Sequence, residues 1–209
     1  MTIRTLVRRA ALAGVALTAV LAVTACGDDD HSSPGTGHGT PGSGGPSATA
    51  TGAAAFGDAD VMFAQMMIPH HQQAVEMADL AATRAADPEV KRLAAEIKAA
   101  QAPEIATMSG WLTAWGRPAQ SPGAEMPHMD HGMPGMMSDA DMTKLAAASG
   151  REFDRQFLTM MIAHHEGAIT MARDELARGM NAEAKALAEQ IVSSQQAEID
   201  TMRKILGRL

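Results

Sequence analysis

The chain has 209 residues and a formal charge of −7, with 17 Met, eight His, one Cys and only 3% aromatic residues. So acidic a balance argues against a nucleic-acid partner, because phosphates reward basic patches. A single Cys leaves no intrachain disulfide, so packing or metal must hold the fold.

Residues 1–25 read as a targeting segment. Arg4, Arg8 and Arg9 give it a positive start, and Ala10 to Val23 is an uncharged apolar run too short to span a bilayer as a helix. The run ends in Val23-Thr24-Ala25-Cys26, which resembles the lipobox of bacterial lipoproteins. That resemblance implies that Cys26 is lipidated and anchors the mature chain to the outer face of a membrane. An ordinary signal peptide cut after an Ala is the plainer alternative. Loss of the leader removes three Arg and no acid, which takes the charge from −7 to −10. Residues 26–55 are rich in Gly, Ser, Pro and Thr and cannot bury enough apolar surface to fold, so they are expected to form a flexible tether. His31 and His38 lie in it with no assigned role. One domain is expected over 56–209.

From Asp58 the apolar residues fall at helical spacing: Phe63, Met67, His70, Ala74 and Met77 share one face. Asp58 or Asp60 is placed to cap this helix, and Pro69 should kink it near His70. Asp87-Pro88 stops it and starts a second helix, with Asp as N-cap and Pro at the first helical position. The buried stripe of the second helix is Leu93, Ile97, Gln101, Glu104 or Ile105, and Met108. So short a break makes the two helices an antiparallel hairpin. A Pro/Gly-rich linker covers 117–137. A short helix is expected from Ser138 or Asp139, then a long helix to Arg178, a turn at Gly179-Met180-Asn181 and a last helix to about Leu206.

The second half repeats the first. Met66-Met67-Ile68-Pro69-His70-His71 returns as Met160-Met161-Ile162-Ala163-His164-His165, a shift of 94 positions that holds without a gap from Asp60/Asp154 to Met108/Met202. Roughly twenty of about fifty paired positions are identical, so one supersecondary unit is used twice. The repeats are 58–116 and 138–209. One hairpin cannot bury its apolar face alone, so the expectation is an all-α four-helix bundle of two repeated hairpins around a pseudo-two-fold axis, with His70 near His164.

Each repeat places imidazole and thioether on one helical turn. Met67 shares a face with His70 and with His71, and Met161 does so with His164 and His165. Met66 and Met160 flank these sets. On the partner helices stand Gln101, Glu104 and Met108, and their equivalents Gln195, Glu198 and Met202. These eight are candidate ligands or supporting groups. Mixed thioether and imidazole donors suit Cu(I), Ag(I) or Cu(II) better than Mg²⁺ or Ca²⁺. The alternative is structural: the Met residues are core, and the His pairs are buried and hydrogen-bonded to Glu104 and Glu198. The linker offers a separate capture site. Met126, His128, Met129, His131, Met133, Met136 and Met137 give five Met and two His in positions 126–137, where core packing has no role for them.

These motifs resemble the bacterial family called domain of unknown function 305. The matching stretches run from Asp60-Val61-Met62-Phe63 to His70-His71-Gln72-Gln73-Ala74 and from Phe153-Asp154 to His164-His165-Glu166-Gly167-Ala168. The resemblance implies a ferritin-like four-helix bundle, exported or lipid-anchored, in a family whose CopM-type members bind copper or silver outside the cytoplasm. The sequence therefore points to an exported, lipid-anchored soft-metal binder for sequestration or tolerance, not an enzyme, with no nucleic acid and no identifiable protein partner. A metal-free scaffold or partner-binding domain is the alternative. A ferritin-like di-metal oxidase is disfavoured, because no Glu-x-x-His occurs in any helix.

Overall fold

The computed structural model describes residues 55–119 and 133–209. The expected leader, Cys26 and tether lie outside these residues apart from Ala55, as do Met126, His128, Met129 and His131. The described residues form five helices: α1 (Asp58–Arg84), α2 (Pro88–Ala114), α3 (Asp139–Ala147), α4 (Gly150–Arg178) and α5 (Ala182–Arg208). Among the described residues there is no strand, only one isolated bridge between Ala85 and Gly150. No helix among them is long and apolar enough to cross a membrane.

Local chemistry accounts for the boundaries. Asp87 caps α2 by accepting from Glu89 N at 2.8 Å, with Pro88 in the first turn. Asn181 caps α5 through Ala184 N at 2.9 Å, and Ser138 caps α3 through Asp141 N at 3.2 Å. Helix α1 runs through Pro69 without a break. Its N-cap is Gly57, not Asp58 or Asp60. Asp60 accepts from Gly57 N at 2.6 Å, but the rest of its carboxylate is engaged elsewhere.

Helices α1 and α2 form one hairpin and α4 and α5 the other; α1 packs on α4, and short α3 lies against both. Two buried carboxylates tie the hairpins together. Asp60 accepts from Met180 N at 3.0 Å and Asn181 N at 2.8 Å, in the turn of the second hairpin. Asp154 accepts from Ala86 N and Asp87 N, both at 3.0 Å, in the turn of the first. All three pairs, 60/154, 86/180 and 87/181, are related by the shift of 94. The same latch is therefore built twice, in opposite directions.

The core divides along the bundle. One apolar cluster includes Ala74, Met77, Leu93, Ile97, Phe153, Phe157, Met161 and Met202. The other includes Phe63, Met67, Met108, Leu112, Ala168, Met171 and Ile191. Each takes half of every long helix. Between them, at mid-height, lie His70, His71, Gln101, Glu104, His164, His165, Gln195 and Glu198.

Candidate metal centre

The repeat brings its two centres together. The rings of His70 and His164 lie 3.7 Å apart between centroids, tilted by 36°. All four imidazoles are fully buried. Adjacent residues on a helix diverge by about 100°, so the second His of each pair turns away from this contact. His71 Nε2 meets Glu104 Oε2 at 2.7 Å on α2, and His165 Nε2 meets Glu198 Oε2 at 2.7 Å on α5. These outer imidazoles satisfy the structural expectation. The inner pair does not.

His70 has one hydrogen bond, from Nε2 to the Pro134 carbonyl at 3.0 Å. His164 has no partner on either nitrogen among the described residues. The bonds that do form decide the tautomers. Carboxylate and carbonyl oxygens accept, so Nε2 of His70, His71 and His165 donates, and in the neutral ring Nδ1 keeps its lone pair. Among the described residues, Nδ1 is buried and unpartnered in all four rings. Both amide atoms of Gln101 and Oε1 of Gln195 are also unpartnered there. Leaving a buried polar group unsatisfied costs about 1–3 kcal/mol, so this layer is held at the expense of stability.

Burial keeps the inner pair neutral. It lowers His70 to about 3, helped by repulsion from His71 and His165 and opposed by the bond to Pro134. His164 is held well below its usual value by burial first, then by His70, His165 and His71, against a weaker opposing pull from the His70 backbone, which lies outside hydrogen-bond geometry. Neutral imidazole is the form that binds metal. Loss of affinity through the ordinary His range near pH 6.5, the behaviour of an unperturbed imidazole, is therefore not expected of these two residues.

The thioethers stand above and below the layer. Met66, Met67 and Met108 belong to one cluster, Met161 and Met202 to the other, and Met160 is half-buried beside the latter. Of the linker residues described, Met133 packs on the cluster of Met67, and Met137 on that of Met161, while Met136 is half-buried. Among the described residues, no three His, Cys, Asp or Glu converge into a ready cage for a metal ion. The donor set suits an ion content with few ligands, which is the habit of soft monovalent cations, better than an octahedral one. The latch acids Asp60 and Asp154 were visible in the sequence as a repeated pair, but their reach across the hairpins was not.

The signature of the family described as domain of unknown function (DUF305) matches residues 60–206. The chain belongs to that family. Among solved structures, a DUF305 protein from Streptomyces coelicolor, described as secreted, is 41% identical, with 72% of this chain and 93% of that one covered and a TM-score of 0.66. A DUF305 fragment from Deinococcus radiodurans is 36% identical, over 74% and 99%, with a TM-score of 0.66. CopM in its Cu(II)-bound form is 37% identical, over 71% and 96%, with a TM-score of 0.62. CopM has also been solved bound to Cu(I) and to Ag. No curated protein matches the chain. The DUF305 region begins at Asp60 and so takes in both carboxylate latches and all four imidazoles.

Proposed function

We propose that this DUF305 chain is an exported, lipid-anchored binder of a soft cation, Cu(I) or Ag(I), that sequesters the ion and does no chemistry on it. The observation that carries this is His164: a fully buried imidazole with neither nitrogen partnered among the described residues, packed at a tilt on a second whose Nδ1 is likewise unpartnered there. Such a pair is costly as packing and useful as a donor set. The cation is cargo: His70, His71, His164 and His165 would offer Nδ1, and Met67 and Met161 are the nearest thioethers in sequence. Glu104 and Glu198 would orient the outer rings, as carboxylates do behind metal-bound His. CopM, solved with copper and with silver, supports the choice of ion. The description of the Streptomyces coelicolor relative as secreted supports export. The fold layout is compatible with a ferritin-like bundle, in which metal sites are built from inward side chains of facing helices.

The competing function is a metal-free scaffold, and the lack of a convergent trio of His, Cys, Asp or Glu among the described residues favours it. There the polar layer would only enforce pairing of the hairpins. Titration of Ag(I) into wild type, His70→Ala/His164→Ala and a variant lacking 117–131 separates the two. The proposal expects the double His change to remove one component at both pH 7 and pH 5, and the deletion to leave that component intact. Equal binding by all three, or none above a Met-free control, leaves the scaffold.

A further inference from the structure

The end of the linker does not hang free; it is fastened across the imidazole pair at three points. On α1, the Gln73 amide clasps Met137 both ways: Nε2 donates to Met137 O at 2.9 Å, and Oε1 accepts from Met137 N at 2.8 Å. On α4, the equivalent position is Gly167, and it is empty by necessity. A Cβ there would lie 2.1 Å from the Pro134 carbonyl oxygen and 2.5 Å from its carbon. Gly135, at φ +74°, meets it from the other side; a Cβ on Gly135 would stand 2.6 Å from Ala163 O and 3.0 Å from His164 O. The third point is the imidazole itself, since His70 Nε2 donates to Pro134 O at 3.0 Å. Residues equivalent in the repeat have thus diverged, one to grip the strap and one to admit it.

We propose that the strap 133–137 is the gate of the imidazole site, and that Gln73 and Gly167 are the positioning residues that hold it shut. His70 and His164 are fully buried beneath it, so an ion or reagent reaches them when the strap lifts and His70 releases Pro134. A rival route is the groove of about 480 Å³ between α2 and α5, lined by Glu104, Trp111 and Glu183. That groove leads to the partner of His71, not to the inner pair. The identity of the cargo rests on the soft-cation function; the gate itself does not.

The test uses the full metal-free chain as wild type, Gln73→Ala and Gly167→Ala. The second change adds a methyl that expels the strap while favouring the helix. Three quantities are read: amide exchange at Met137, the rate at which diethyl pyrocarbonate modifies His164, and the rate of Ag(I) uptake. With helical content unchanged, both variants should speed Met137 exchange and raise His164 modification by about tenfold, as expected when local opening limits access. Ag(I) uptake should quicken likewise to an unchanged stoichiometry. If Met137 exchanges faster but His164 reacts at the wild-type rate, access runs elsewhere and the gate is wrong. It is equally wrong if Gly167→Ala leaves Met137 protected. If wild type takes up no Ag(I), the cation function falls and the gate is judged on His164 modification alone. Should one variant unfold, the other decides.

Discussion

Glu175 shows what a single residue can add to a repeated framework. Its counterpart in the first repeat is Ala81, and it is only 2% exposed, beside Asp60. Burial alone would raise Asp60, but bonds from Gly57, Asn181 and Met180 N–H and from Glu175 outweigh that and leave it lowered. Burial first, then the hydrogen bond and the repulsion with Asp60, raise Glu175 to about 8 against the pull of Lys185 and Arg178. With a pKa of about 8, Glu175 carries the proton at neutral pH, which leaves it a hydroxyl to offer the Asp60 carboxylate. Gly179 leaves the room: a Cβ there would collide with Glu175 Oε1. The folded chain thus binds this proton more tightly than the unfolded one. The stability it brings is complete below the unfolded value, 4.5, and is lost as pH rises through about 8. Glu175→Gln keeps a donor without the titration. Its melting temperature should match wild type near pH 4.5 and exceed it by about 2–4 °C above pH 8. A constant difference at all pH values would show that Glu175 does not titrate in this window.

Among the elements, the two latches fix how one hairpin sits on the other. Each uses one carboxylate to close two backbone N–H groups of the opposite turn. Bonds to an ionised acceptor are among the stronger ones, so Asp154→Ala should lower stability by about 2–3 kcal/mol. Asp60→Ala should cost at least as much as Asp154→Ala at pH 7, because Asp60 also accepts from Gly57 N and is the acceptor beside the protonated Glu175. Urea unfolding measures both, with unchanged m-values showing that the folded and unfolded states keep their exposed surface. Helices, caps and turns were legible in the sequence because their signals are local: period 3.6, Asp87-Pro88, Ser138, Asn181. The pairing of His70 with His164 was legible because the shift of 94 implied a two-fold axis. The latches were not, since Asp60 and Asp154 look like ordinary acids near a helix start and bond residues 120 and 67 positions away. The strap was hidden for the opposite reason. Gln73 and Gly167 break the repeat, and a Gly within a helix gives no hint of the backbone that approaches it.

Across the whole molecule, the buried polar layer is what the sequence could least resolve between structure and function, because both uses want the same residues buried. Energetics separate them. A layer evolved for packing should be stabilising where it stands; a layer kept for cargo should cost stability when empty of it. Among the described residues, eight buried polar atoms of His70, His71, His164, His165, Gln101 and Gln195 have no hydrogen-bond partner, both ring nitrogens of His164 included. Replacing the inner pair by apolar residues of similar size, His70→Leu/His164→Leu, should therefore raise the stability of the metal-free chain by about 1–3 kcal/mol, read from the urea midpoint at pH 7. The pH dependence gives the same answer independently. Both imidazoles are lowered in the folded state, His70 from 6.5 to about 3. Between those values the unfolded chain binds more protons, so their contribution is whole above 6.5 and drains away as pH falls toward 3. The double Leu variant lacks this drain and should hold its midpoint further into acid than wild type does. Ag(I) should reverse the order at pH 7, stabilising wild type by mass action and leaving the variant unmoved. A variant less stable than wild type without metal, and shifted as much by Ag(I), would mean that the imidazoles are core and that the cation is held elsewhere.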